Sequence, residues 1–146
     1  LENDRYVFDF EDLADKMARP DVKVFILCSP QNPSGRVWTA EELEQVGDLC
    51  LQHHVLLVSD EIHRDIVYPG VHFTSIWQAC PAIRDHSILC LSPNKAFNLG
   101  GLKTSYVVIP DAGIRVGIGL VMALRTATLC RLSVAIVMSI AVPFGS

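Results

Sequence analysis

Three groups able to do chemistry together recur at equivalent places along the chain: the amide of Asn32, the carboxylate of Asp60 and the amine of Lys95, each just beyond a short apolar run. His63 follows the acid by three residues and Ser92 precedes the amine by three. A lysine amine can form a Schiff base with a carbonyl and, once released, carry a proton. A carboxylate beside a buried cation is stabilised in its charged form and stabilises that cation in turn. Singly, each residue has an ordinary explanation. A lysine after a strand is by default a solvated surface group, and an aspartate there a turn or cap residue. Asn32 before Pro33 is by default a turn former, and His63 a packed or exposed imidazole. Their order, with 28 residues from Asn32 to Asp60 and 35 from Asp60 to Lys95, raises the set above those defaults.

The elements that must position these groups alternate in character. Phe10, Leu13, Ala14 and Met17 recur at helical spacing, with Pro20 just beyond. Val22 to Cys28 reads as a buried strand that stops in the turn formers Ser29-Pro30-Gln31-Asn32-Pro33-Ser34-Gly35. Thr39-Ala40-Glu41-Glu42 is a capping box opening a helix whose inner face is Leu43, Val46, Leu49 and Cys50. Val55 to Val58, Ile88 to Leu91 and Thr104 to Ile109 read as three further strands. Short apolar strands separated by helices or long crossovers predict an α/β fold: a mostly parallel sheet with helices on both faces. Ligands of such sheets bind outside the carboxyl ends of the strands, where Asn32, Asp60, His63, Ser92 and Lys95 fall.

At these residues the sequence resembles a known family. Asn32-Pro33-Ser34-Gly35 is similar to the Asn-Pro-x-Gly motif of class I/II aminotransferases, and Asp60-Glu61-Ile62-His63 to their Asp-x-x-Tyr motif with His for Tyr. Ser92-Pro93-Asn94-Lys95-Ala96-Phe97-Asn98 resembles their Ser-x-x-Lys-x-Phe cofactor motif, and the likeness spans residues 3 to 110 almost continuously. The wording of the motifs is most similar to the MalY/PatB-type cystathionine β-lyase (C–S lyase) branch. The resemblance implies part of the large domain of a fold type I enzyme that uses pyridoxal 5′-phosphate (PLP). It implies Lys95 as the Schiff-base and catalytic lysine, Asp60 as partner of the pyridine nitrogen, and Asn32 and His63 at the ring's phenolic edge. Ser92 would touch the phosphate, and Lys103 stands where many members place a phosphate-binding arginine, with the charge but not the bidentate geometry. The Asn32-Pro33 bond is commonly cis in the family. The implied reaction is β-elimination from a sulfur amino acid, giving a thiol, pyruvate and ammonia. Class I/II transamination begins with the same deprotonation and is the alternative, as is a truncated, inactive or dimerisation-only product. The family's active sites form at a homodimer interface.

Composition bounds what else the chain could do. Half of its residues are apolar, and its net charge of −4, without a basic run, gives no reason to expect nucleic acid. The charge is uneven: residues 1–111 carry −7 and residues 112–146 carry +3, from Arg115, Arg125 and Arg131 alone. The resemblance implies residues 1–111 as part of the PLP-binding large domain, and the shift in charge marks 112–146 as an atypical apolar tail, frameshifted, spliced or truncated. Its longest uncharged run, Leu132 to Ser146, is fifteen residues, short of the roughly 20 that span a membrane. No membrane association is expected. Scattered cysteines without a paired spacing suit reduced thiols and a cytoplasmic setting. The start lacks a Met and resembles mid-protein sequence. The resemblance implies a phosphate loop, a ring stacked on the cofactor and a carboxylate-gripping arginine outside these residues, so no useful catalysis is expected from them alone. Two rivals rank lower. Gly117-Ile118-Gly119 lacks the third glycine of a nucleotide loop, and His53-His54 are adjacent rather than four apart, as a helical metal site needs.

Overall fold

The computed structural model of the chain describes residues 5–102 and 104–119. Lys103 and residues 120–146, most of the apolar tail, lie outside the described residues. Helix α1, Phe10–Met17, starts at Asp9, whose side chain accepts a hydrogen bond from the Asp12 N–H at 3.0 Å. Helix α2, Ala40–Gln52, begins in the expected capping box. Thr39 Oγ1 accepts from the Glu42 N–H at 3.2 Å, and a Glu42 carboxylate oxygen accepts from the Thr39 N–H at 2.7 Å. Two of the four orphan donors at the helix start are thereby satisfied.

The end of α2 is equally defined. The Val55 N–H donates to the Cys50 carbonyl at 2.9 Å and the His54 N–H to the Leu51 carbonyl at 3.3 Å, the two bonds of a Schellman turn. His54 occupies the left-handed position with φ +55°, where glycine is the usual residue. His53 and His54 therefore terminate a helix and feed the next strand.

Four strands form one sheet in the order β1 (Val24–Cys28), β2 (Leu56–Asp60), β3 (Ser87–Leu91) and β4 (Tyr106–Val108). The first three are parallel and in register, with Cys28 beside Asp60 and Asp60 beside Cys90, while β4 runs antiparallel to β3. The predicted strands are all present. Their ends differ by one to two residues, because pairing across the ladder rather than apolar character sets where a strand begins and stops. Between β2 and β3 lie a loop, 62–74, the short helix α3 (Ile76–Ala79) and a 3-10 turn, Pro81–His86.

The alternation of each strand puts Leu27, Leu57, Leu89 and Leu91 on one face. There they pack with Leu43, Val46 and Cys50 of α2 and with Ile76 and Ile83. The approach of α2 is close: a Cβ on Gly47 would lie 2.7 Å from both Cβ and Sγ of Cys80, so only glycine fits without displacement. Burial raises the Cys50 thiol to about 12, with Cys80 next to it, and the four described cysteines are free thiols. The reverse face is different. Val24 and Ile26 of β1 are 48 % and 70 % exposed, so among the described residues the helical cover is on one face of this edge of the sheet. Residues 112–119 are helical, which places Gly117-Ile118-Gly119 inside a helix rather than in a phosphate loop. No helix of the described residues is long and apolar enough to cross a membrane.

Candidate active site

The parallel strands end together, so the segments that follow them gather at one rim of the sheet. A cleft of about 650 Å³ opens there, and Asn32, His63 and Lys95 all line it. The turn after β1 supplies one wall. Both Ser29-Pro30 and Asn32-Pro33 are cis, and Gly35 takes φ +70°. The Gln31 N–H donates to the Arg36 carbonyl at 2.8 Å, and the Gly35 N–H to the Gln31 carbonyl at 2.7 Å, closing the turn on itself. It is also tied to its surroundings. Arg36 makes a two-pronged pair with Glu42 at 2.5 and 2.7 Å and donates to the Tyr6 carbonyl at 2.9 Å. The guanidinium lies 4.7 Å above the Trp38 ring, Phe8 stacks on that ring at 3.9 Å, and Trp38 Nε1 donates to the Cys28 carbonyl at 3.0 Å. Arg36 lines the cleft, yet its donors are engaged by the protein, so it is a brace.

The opposite wall is loop 62–74, which contributes His63, Ile66, Val67, Tyr68 and Val71. His63 is half-buried, whereas Ile66 and Tyr68 stand well out of the protein. Lys95 lies on the segment after β3. Its side chain is exposed and has no ion-pair partner among the described residues.

Two of the sequence-selected residues stand apart from this cleft. Asp60 is the last residue of β2, half-buried, and is not among the cleft's lining residues. One of its carboxylate oxygens accepts from the Ile62 N–H at 3.2 Å, and the other has no hydrogen-bond partner among the described residues. Its charge is felt across the ladder: the Cys90 thiol is pushed up by burial first and by Asp60 second. Ser92 is not in the cleft either. Its hydroxyl donates to the Thr104 carbonyl at 2.7 Å, accepts from the Asn94 N–H at 3.1 Å, and lines a separate cavity of about 210 Å³ with Arg64, Phe97 and Tyr106. Lys103 falls outside the described residues.

Glu61, to which the motifs give no role, is 1 % exposed and accepts three hydrogen bonds beneath the loop. A carboxylate set between an apolar strand and a turn was the available signal, since a buried acid demands donors. Arg36 was equally unassigned, and its partner Glu42 had been read only as half of the capping box.

The chain is similar to known proteins over most of its length. The family model for aminotransferase class I and II matches residues 2–142. Cystathionine beta-lyase PatB of Bacillus subtilis is 47 % identical over 112 residues, which cover 76 % of this chain and 29 % of that one. Aspartate aminotransferase of Geobacillus stearothermophilus is 36 % identical over 91 residues, covering 62 % of the chain and 23 % of the enzyme. Among solved structures, cystalysin from Treponema denticola, which contains a pyridoxal 5′-phosphate cofactor, superposes with a TM-score of 0.80 at 35 % identity. The superposition covers 88 % of this chain and 32 % of cystalysin. The chain thus spans less than a third of the length of these relatives.

Proposed function

The chain belongs to the aminotransferase class I and II family, and from that premise we propose that it is part of a PLP-dependent C–S β-lyase acting on a sulfur amino acid. The observation that carries the reading is the cleft shared by Asn32, His63 and Lys95 at the carboxyl ends of parallel strands. Asn32, His63 and Lys95 fit the cofactor from within the cleft, and Asp60 and Ser92 would meet it from beside that lining. Lys95 offers an exposed amine, Asp60 keeps one carboxylate oxygen unbonded among the described residues, and Asn94 Oδ1, next to the lysine, is buried without a partner there.

When bound, PLP supplies an aldehyde that captures amines and a protonated ring that withdraws electrons from the substrate Cα. Lys95 Nζ would hold the cofactor and, once displaced by substrate, take the proton from Cα. Asp60 would keep the proton on the ring nitrogen through its free oxygen. Asn32 would donate its amide to the ring's phenolic oxygen, with His63 at the same edge. Ser92 would act at the phosphate side from its turn with Thr104, and Lys103 would add positive charge. The same reading includes a homodimer and a cytoplasmic setting, the second supported by free thiols at Cys28, Cys50, Cys80 and Cys90.

The lyase assignment draws on the PatB identity, which exceeds that to aspartate aminotransferase. Transamination is the second reading, favoured by the aminotransferase relatives. Titrating PLP into the chain should produce a saturable absorbance change that Lys95→Ala abolishes. In the whole protein, cystathionine should yield pyruvate with no oxo-acid acceptor added. Turnover that requires such an acceptor would transfer the assignment to the aminotransferases.

A further inference from the structure

Loop 62–74 leaves the sheet after Asp60-Glu61 and returns at Ser75-Ile76. Its own backbone hydrogen bonds are local: Arg64 N–H to the Glu61 carbonyl at 3.1 Å, Ile66 N–H to the His63 carbonyl at 2.9 Å, and Val71 N–H to the Tyr68 carbonyl at 3.0 Å. The cation–π contact of Arg64 over Phe73, at 5.6 Å, also lies within the loop. Something else must hold its two feet together. Glu61 Oε1 accepts from Ser75 Oγ at 2.9 Å and from the Ile76 N–H at 3.0 Å, both on the returning foot, and from Ser59 Oγ at 3.3 Å on the departing strand. The carboxyl is 1 % exposed, and its second oxygen has no hydrogen bond among the described residues, with Arg64 Nη1 4.0 Å away. Hydrogen bonds to a buried acceptor are strong, and donors left without it are costly. The Ile62 N–H, on the same foot, donates to Asp60, so the conformation of the foot also orients that carboxylate.

We infer that Glu61 is a positioning residue: it clasps the feet of loop 62–74 and so sets both the His63 wall of the cleft and the Asp60 carboxylate. The cofactor part of this inference rests on the PLP reading of the cleft; the clasp itself does not. Glutamine is the discriminating replacement. It keeps an accepting oxygen for the same three donors, whereas alanine leaves them without one.

The experiment compares the chain with its Glu61→Gln, Glu61→Ala and Ser75→Ala variants, by backbone hydrogen exchange and by PLP titration followed by absorbance. In Glu61→Ala, exchange across 62–74 should quicken while β1 and β3 keep their protection, and PLP capture should weaken about tenfold. Glu61→Gln should stay close to the unchanged chain in both readouts, and Ser75→Ala should fall between. Unaltered exchange over 62–74 in Glu61→Ala, or an equal rise over the whole sheet, overturns the clasp, and so does a Glu61→Gln chain that behaves like alanine. Should Glu61→Ala fail to fold, Ser75→Ala decides in its place by the same criterion of local quickening. If the unchanged chain captures no PLP, the cofactor reading fails while hydrogen exchange still decides the clasp.

Discussion

The turn that carries Asn32 is tied to a helix, a strand and the chain start through Arg36 and Trp38, whereas loop 62–74 across the cleft is tied at its feet. On the first side, Arg36 joins the turn to α2 through Glu42 and to the chain start through the Tyr6 carbonyl, and Trp38 anchors it to β1. On the second, Tyr68 is 85 % exposed and Ile66 51 %, and the loop's hydrogen bonds beyond the feet stay within it. Under the proposed reading the Asn32 amide meets the cofactor ring, a placement that tolerates little error and that these ties suit. A loop fixed at its base, with Ile66 and Tyr68 standing out of the protein, is held less firmly.

That contrast predicts unequal costs. Trp38→Ala removes a buried ring and its hydrogen bond, so it should lower unfolding free energy by about 3–5 kcal/mol, measured by urea denaturation. A loss below about 1 kcal/mol would mean that the Asn32 wall is not braced through this residue. Arg36→Ala leaves Glu42 largely buried without its ion-pair partner and should cost about 3 kcal/mol in the same measurement.

The far wall should respond otherwise. Tyr68→Ala should change stability by less than about 0.5 kcal/mol, because almost none of the ring is buried by the described residues. A change as large as that of Arg36→Ala would erase the distinction between the walls. The smallest effect concerns pH. Burial holds the Glu61 carboxyl above its ordinary 4.5, so the folded chain favours the protonated acid. Its contribution to stability is full below 4.5 and fades as pH rises through the higher folded value. Glu61→Gln should therefore flatten the fall of stability with pH above 4.5, as followed by thermal melting across a pH series.

Much of this architecture was legible in the residues. Phe10–Met17 emerged as a helix over the span its apolar spacing predicts, and the Thr39–Glu42 capping box formed as written, because both depend on groups within four residues of one another. The three parallel strands were visible as apolar runs. The full extent of the far wall, loop 62–74, was not, because its shape depends on where Ser75 and Ile76 return, and that is a non-local fact.

Local chemistry by itself settled the helix starts, the strand cores and the turns at which Asn32 and Lys95 sit, since each is governed by neighbouring residues. Only the three-dimensional arrangement decided which of these share a cleft. Strand register brings Asn32, His63 and Lys95 to one opening, leaves Asp60 at the end of β2 outside its lining, and turns Ser92 toward the Thr104 carbonyl. The physical reason is that spacing along a chain fixes which strand end bears a group, while the direction of its side chain follows from the hydrogen bonds and packing found there.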